Sequence, residues 1–215
     1  MYLPRHFQEE RLEELTAVVR EHPFATLVSM GEDGLYATHL PMLWDPEPAP
    51  FGTLIGHVAR PNPHGRTVRA GAESLAIFVG AAGYVSPSWY PAKREHGKVV
   101  PTWNYVAVHA YGEVRWIDDA EWLRSLVTRL TDRHEAPFAE PWRVTDAPEA
   151  FFEQMLKGII GVEMPISRIE GKWKLSQNRP AADVDGTIAG LEARGDAGSA
   201  ALAAAMAKRR RDRGA

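Results

Sequence analysis

Residues 56–63 (GHVARPNP) carry side chains suited to binding a phosphate group. His57 lies near the end of an apolar run typical of a strand, Arg60 follows it, and Asn62 stands between two prolines. A guanidinium presents a fork of donors that matches phosphate geometry. A short helix opening near Pro61 adds free backbone N–H groups and a favourable dipole. We therefore predict an anion site here; the alternative is an ordinary surface arginine beside a turn.

Two further segments place small hydrogen-bonding side chains next to large aromatic rings. They are residues 84–90 (YVSPSWY) and 100–105 (VPTWNY). A planar heteroaromatic ligand needs apolar faces and a few directed polar contacts at its edge. This pattern predicts such a site, with core packing of the rings as the alternative. The candidate residues are Ser86, Ser88, Trp89, Tyr90, Trp103 and Asn104.

A fourth polar segment, residues 171–179 (GKWKLSQNR), surrounds a single tryptophan. An exposed edge strand accounts for its lysines, but it does not account for Trp173 or for the polar string that follows. We therefore add this segment to the candidate site. Its candidate residues are Lys172, Lys174, Ser176, Gln177 and Asn178.

The elements that must position these side chains follow from periodicity and from the Pro and Gly breakers. Alternating and β-branched runs predict strands at 24–30, 35–44, 53–58, 74–79, 103–117, 159–169 and 172–175. Helical spacing predicts helices at 8–21, 61–69, 118–134, 148–157 and, broken near Gly195 and Gly198, beyond Pro180. Strands separated mainly by turns, with helices added late, predict a mainly antiparallel barrel of the α+β class.

Three irregular positions complete this prediction. Residues 84–101 are rich in proline and glycine and are predicted to form a long loop. Gly112 interrupts a strand pattern, which indicates a bulge or a close backbone approach. Glu170 and Gly171 are predicted to form a turn between the last two strands.

Composition limits the chemistry that is available. The chain has 215 residues and no cysteine, which excludes disulfides, thiolate metal sites and a cysteine nucleophile. Its net charge is −3, but residues 208–213 (KRRRDR) carry four net positive charges and leave the rest at −7. This basic tail is either a contact for DNA or another polyanion, or the frayed and solvated end of a helix. No leader and no membrane-length apolar run is recognised, so we predict a cytoplasmic protein without a membrane partner.

Together with residues 1–7 (MYLPRHF), these four polar segments resemble the PaiB family of FMN-binding regulators. The resemblance spans residues 1 to about 180. It implies an FMN-binding split β-barrel in residues 1–180, with an N-terminal helix, and a helical extension with a basic tail in residues 181–215. It also implies a flavoprotein related to pyridoxamine-phosphate oxidase and flavin reductases, with the flavin at the interface of a homodimer.

The resemblance also implies roles for the candidate residues. His57, Arg60 and Asn62 would bind the FMN phosphate, and Trp103 and Asn104 would supply a wall and an edge contact. The serines and rings of residues 86–90 would line the ligand or the approach of the second subunit. Residues 172–178 would complete the site of the other subunit. His39 would either face the flavin ring or serve the structure.

Several functions remain open at this stage. The family is described as negative transcriptional regulators of protease production and sporulation, yet no helix–turn–helix is recognisable and only the basic tail favours DNA. A flavin-dependent oxidoreductase, either an NAD(P)H:flavin reductase or a pyridoxamine-phosphate-oxidase-like oxidase, is the alternative, because flavin carries its own redox chemistry. No metal-ligand or hydrolase motif is present. Haem binding through His39, His57 or His109 stays possible.

Overall fold

The computed structural model describes residues 1–68 and 71–214, and within them the chain forms ten strands and seven α-helices. The strands are β1 (Gln8–Glu9), β2 (Phe24–Gly31), β3 (Gly34–Pro41), β4 (Leu43–Asp45), β5 (Thr53–Ala59), β6 (Glu73–Val85), β7 (Thr102–Glu113), β8 (Arg115–Ile117), β9 (Ile159–Pro165) and β10 (Arg168–Lys174). The helices are α1 (Leu12–Glu21), α2 (His64–Thr67), α3 (Ala92–Glu95), α4 (Ala120–Glu135), α5 (Glu149–Leu156), α6 (Ala181–Glu192) and α7 (Ala197–Gly214). None of the helices in this described part combines the length and apolar character needed to cross a membrane.

The chain divides into two compact units. The first unit comprises Met1–Val18, Val79–Val108 and Glu170–Ala215, and the second comprises Val19–Phe78 and His109–Ile169. Strands β6 and β7 each contribute residues to both units. Each unit has its own hydrogen-bonded strands and its own buried side chains.

In the first unit the strands follow the order β1-β10-β7-β6. β1 pairs antiparallel with β10, with Gln8 opposite Lys172 and Glu9 opposite Gly171. Helices α6 and α7 pack against each other, and Leu202 and Met206 of α7 are fully buried. Helical spacing in an alanine-rich segment places these two larger side chains on one face, which is why α7 covers apolar surface.

The second unit contains a complete β2–β3 hairpin, with β6 paired to the other edge of β2. It also contains a four-stranded antiparallel sheet in the order β4-β5-β9-β8. Leu126 and Leu130 of α4 pack on Leu43 and Ile55 of this sheet. Apolar residues three and four apart face the same side of a helix, so α4 buries one stripe and leaves its charged side exposed.

The turn predicted at Glu170 and Gly171 is wrong, because both residues lie inside β10. The chain turns earlier, between the end of β9 at Pro165 and Arg168. Close packing requires a glycine at position 171, because a Cβ built on it would lie 2.1 Å from Leu15 Cδ2. The helix predicted from residue 8 begins instead at Leu12, because Gln8 and Glu9 pair with β10.

Other boundaries differ in smaller ways. The close approach expected at Gly112 is confirmed, since a Cβ there would lie 2.1 Å from the carbonyl oxygen of Pro165. The predicted strand 103–117 is divided at Val114 into β7 and β8. α2 covers only His64–Thr67, and Arg69, the predicted end of this helix, lies outside the described residues. The predicted loop at 84–101 contains a 3₁₀ turn at Pro87–Trp89 and α3.

Candidate functional site

Arg60 lies in the second unit, directly after the end of β5, and its guanidinium is held by three partners. Nε donates to the carbonyl oxygen of Lys157 (2.8 Å), and Nη2 donates to that of Ile159 (2.9 Å). Nη1 and Nη2 also donate to the Asp118 carboxylate at 2.8 and 2.6 Å. The hydrogen bonds from Arg60 hold the pKa of Asp118 below its usual range. An anion can therefore reach Arg60 only by sharing it with Asp118.

Asn62 organises the turn that leads into α2. Its Oδ1 accepts the backbone N–H of His64 (3.0 Å), and its Nδ2 donates to Thr38 Oγ1 (3.3 Å). Thr38 Oγ1 also lies 2.8 Å from His64 Nδ1. The His64 ring is fully buried between Tyr36 and Trp116, with ring centroids 6.2 and 5.7 Å away. Burial lowers the pKa of His64, so the ring is neutral at physiological pH.

The two histidines predicted for the site differ in environment. His57 on β5 is partly buried, its Nδ1 has no partner among the described residues, and burial lowers its pKa. His39 is exposed on β3, where its Nδ1 lies 3.0 Å from Thr26 Oγ1 and its ring stacks on exposed Phe24. His39 thus offers an accessible ring face, whereas His57 offers a buried polar atom to which no described residue forms a hydrogen bond.

Arg66 is a candidate that the sequence reasoning missed. It is exposed on α2, and its only side-chain hydrogen bond to a described residue is a long one, from Nη2 to the carbonyl oxygen of Arg60 (3.5 Å). It forms no ion pair within the described residues. Unlike Arg60, it can therefore present its guanidinium fork to an anion. The signal was available in the sequence, since Arg66 lies three residues beyond the segment that ends at Pro63.

In the first unit, Ser86 and Ser88 form part of the 3₁₀ turn at Pro87–Trp89. Ser86 Oγ accepts the backbone N–H of Ser88 (3.2 Å), and Lys93 Nζ donates to Ser88 Oγ (3.1 Å). Trp89 packs against α6, where a Cβ built on Gly190 would lie 2.4 Å from its ring. The local structure therefore uses both hydroxyls and one face of Trp89.

Tyr90 and Asp183 are buried polar residues of the first unit whose hydrogen bonding is incomplete. The Tyr90 hydroxyl has no partner within the described residues, and burial raises its pKa. Asp183 Oδ1 accepts the backbone N–H of Ala92 (3.2 Å), but Oδ2 has no partner in that part of the chain. The Arg179 guanidinium lies 4.9 Å from the centre of the Tyr90 ring. Buried polar atoms of this kind are uncommon in folded proteins.

Trp103 remains open to solvent on β7. Its side chain is 55% exposed and meets the 44% exposed Tyr84 edge-on, with ring centroids 6.5 Å apart. Lys174 Nζ donates to Thr102 Oγ1 (2.6 Å) and to the carbonyl oxygen of Trp103. Burial, together with the nearby charges of Lys172 and Arg179, lowers the pKa of Lys174. The exposed aromatic pair is the surface of this unit best suited to a flat ligand or a second protein chain.

Asn104, Ser176 and Gln177 fix the loop that follows β10. Buried Asn104 donates from Nδ2 to Ser176 Oγ (2.9 Å), and Ser176 adopts a left-handed backbone with φ of 65°. Gln177 accepts the backbone N–H of Leu175 (2.8 Å) and donates to the carbonyl oxygen of Trp173. A non-glycine residue at positive φ persists only where its surroundings require it, and the Asn104 contact supplies that requirement.

Within residues 171–179, Lys172 and Asn178 differ strongly in burial. Lys172 is buried, with Nζ donating to the carbonyl oxygen of Tyr2 (2.9 Å) and lying 5.3 and 5.5 Å from the ring centres of Tyr2 and Tyr105. Asn178 is exposed. Trp103, Asn104, Lys174 and Ser176 are thus brought together in the first unit, while Lys172 is occupied by the N-terminal segment.

The basic tail is folded rather than frayed, because α7 continues to Gly214. Lys208 pairs with Glu14 (2.7 Å), Arg209 pairs with Glu9 (2.6 Å), and Arg210 pairs with Asp185. Three of the charges that favoured a polyanion are therefore already neutralised within the first unit. The side chain of Arg213 lies outside the described residues.

The sequence matches the model of the family described as "Putative FMN-binding domain" over residues 1–168. "Protease synthase and sporulation protein PAI 2" of Bacillus subtilis is 34% identical over 192 residues, covering 89% of this chain and 89% of the relative. An uncharacterized protein of Emericella nidulans is 33% identical over 234 residues, and the alignment covers 92% of this chain and 93% of the relative.

Two solved structures share the fold at low sequence identity. The FAD and heme binding protein from Mycobacterium smegmatis has a TM-score of 0.59 at 16% identity, covering 83% of this chain and 78% of that one. The flavocytochrome Anf3 from Azotobacter vinelandii has a TM-score of 0.56 at 11% identity, covering 80% and 72%. The predicted α+β class, a mainly antiparallel split β-barrel with added helices, is confirmed.

Proposed function

Because the chain belongs to the PaiB-like family of FMN-binding domains, we propose that it is an FMN-binding regulatory protein whose flavin lies at the interface of a homodimer. The family match carries this proposal, since it spans residues 1–168 and includes the segments at 57–62, 84–90 and 100–105. The Bacillus relative, which is named for protease synthesis and sporulation, supports the regulatory part.

The phosphate of FMN is assigned to the second unit, at the turn between β5 and α2. Exposed Arg66, which lacks a carboxylate partner within the described residues, supplies a free guanidinium there. Arg60 adds positive charge while Asp118 holds it in place, and Asn62 fixes the turn through Thr38 and the His64 backbone. A guanidinium fork without a carboxylate partner can donate two parallel hydrogen bonds to a phosphate, so the donor set fits the group.

The flavin ring requires flat apolar contacts, and the first unit of each copy is proposed to offer these to the flavin held by the other copy. Exposed Trp103 and Tyr84 can cover a ring or an apolar surface belonging to a second copy. Lys174 and Asn178 are proposed to contribute to the flavin held by the partner copy, as the family resemblance implies. His39, with its exposed ring on β3 of the second unit, is proposed to face the flavin held by its own copy. Bound FMN would supply reversible electron and hydride transfer at this place.

The regulatory role is proposed to act through the flavin rather than through sequence reading of DNA. Lys208, Arg209 and Arg210 are paired with acidic residues of the first unit, which removes much of the charge that a phosphate backbone would attract.

The visible absorbance of the purified protein tests the cofactor. A yellow protein that releases FMN on denaturation supports the proposal, and a colourless protein that also fails to take up added FMN would overturn it. Sedimentation should give twice the mass of one chain when flavin is bound. Anaerobic NAD(P)H then distinguishes the two roles, since rapid bleaching of bound FMN would favour the oxidoreductase over the regulator.

A further inference from the structure

A pocket of about 340 Å³ lies wholly within the first unit, among the loop after β10, the first turn of α6 and the last turns of α7. It combines apolar side chains with three arginines and a glutamine. The lining residues are Leu175, Gln177, Arg179, Ala181, Val184, Met206, Arg209 and Arg210.

The lining of this pocket carries one arginine whose charge is not compensated by an ion pair within the described residues. Among the described residues that line it there is no carboxylate, and Arg209 and Arg210 are paired, with Glu9 and Asp185. Arg179 makes no side-chain hydrogen bond or ion pair with any described residue, and its guanidinium rests over the Tyr90 ring. Arg209 Nε is a further donor without an acceptor in the part of the chain that the structure describes. An uncompensated guanidinium beside buried apolar groups favours binding of an anion.

The apolar side of the pocket sets a second requirement. Leu175, Val184 and Met206 are all buried, so a ligand that fills the space must cover hydrocarbon as well as neutralise charge. The volume is at the small end of the range for ligand sites, which favours a compact ligand. α6 starts at Ala181 without a side-chain cap, but the buried carboxylate of Asp183 in its first turn offsets the positive end of its dipole, so the arginines supply the positive charge of the pocket.

We propose that this pocket binds a small organic anion, a carboxylate joined to a compact apolar group, with the carboxylate on Arg179. The inference goes beyond flavin binding and does not depend on it, since the pocket shares only Gln177 with the proposed flavin residues. The ligand would be a free small molecule and not part of FMN. A regulatory protein with such a pocket has a second place at which a metabolite can bind.

Isothermal titration calorimetry of the full chain with benzoate, and with its uncharged analogue benzamide, tests this. Benzoate should bind and benzamide should bind at least about tenfold more weakly, because only the former neutralises Arg179. Arg179→Gln should weaken benzoate binding by at least about tenfold. Arg194→Gln is the matched control, because Arg194 is an exposed arginine of the same unit that pairs with Asp196 and does not line the pocket.

A second variant keeps the test valid if Arg179→Gln perturbs the loop. Ala181→Asp places a negative charge at the mouth of the pocket, at a helix N-terminus where an acid is favourable for the fold, and should abolish benzoate binding. Absence of benzoate binding, equal binding of benzamide, or unchanged affinity in both variants would overturn the proposal. The titration is repeated with FMN at saturation: unchanged affinity supports a separate site, and loss of benzoate binding would overturn it. Failure to bind FMN refutes only the proposed function.

Discussion

The buried carboxylate of Glu9 should make the free energy of unfolding of this protein fall as the pH is lowered. Glu9 lies on β1, and its side chain is only 3% exposed. Its Oε1 accepts Arg11 Nε (2.9 Å), and its Oε2 accepts Arg11 Nη2 (2.8 Å) and Arg209 Nη1 (2.6 Å). One carboxylate therefore pairs with two guanidinium groups and joins the N-terminal segment to α7. Protonating it would leave both guanidinium groups without that partner.

The size of the effect follows from the pKa. Burial alone would raise the pKa of Glu9, but the hydrogen bonds from Arg11 and the charge of Arg209 lower it to about 2, from an ordinary value of 4.5. The folded state therefore binds a proton less readily than the unfolded chain. The stabilisation is fully present above about pH 5 and is lost as the pH falls towards 2, and this gap corresponds to about 3 kcal/mol.

Urea unfolding between about pH 7 and pH 3 measures this contribution. Glu9→Gln should lower the free energy of unfolding at neutral pH by about 2–3 kcal/mol and should flatten the acid dependence. Glu14→Gln is the matched control, because its partner Lys208 is largely exposed and such pairs contribute about 0–1 kcal/mol. If Glu9→Gln loses stability on acidification as steeply as the wild type, the reasoning on this network is refuted.

Three further predictions concern the flavin site, the corrected strand and the dimer. Arg66→Gln should weaken FMN binding at least about tenfold in a fluorescence titration and leave riboflavin, which lacks the phosphate, unaffected; an equal loss for both would contradict a phosphate contact. Gly171→Ala should lower the free energy of unfolding by about 1–3 kcal/mol because its Cβ would overlap Leu15, whereas Gly198→Ala in α7 should be neutral or stabilising in the same denaturation assay. Trp103→Ser should shift the protein towards monomer in sedimentation velocity, while Trp142→Ser, which also removes an exposed tryptophan, should not; a shift in both variants would argue against a specific interface.

The sequence predicted the fold class because the class depends on local patterns. Alternating and β-branched runs gave β2 and β5 to within one residue, and helical spacing gave α4 and α5. The failure at Gly171 has a clear physical cause. Glycine is used both for turns and for close packing, and here the close contacts with Trp173 and with Leu15, which is distant along the chain, decide between these uses.

The polar side chains were harder to assign because their partners are distant along the chain. Arg60 was singled out for its donor geometry, yet the carboxylate of Asp118, 58 residues away in the sequence, already accepts hydrogen bonds from it. Asn104 was grouped with Trp103 by adjacency, but it faces Ser176, 72 residues away, whereas Trp103 faces solvent. Residue type and spacing identify segments that carry chemistry. Which member of a segment is free to act depends on tertiary pairing.

Tertiary pairing separates arginines that stabilise the fold of this protein from arginines that can bind a ligand. Arg60, Arg209 and Arg210 each donate to a carboxylate and to a backbone carbonyl, so removing them would disturb the fold before it disturbed any ligand. Arg66 and Arg179 have no carboxylate partner among the described residues. A guanidinium without a carboxylate partner favours binding of an anion. Arg66 and Arg179 lie in separate units, and substituting either should weaken ligand binding while changing the stability of the fold little.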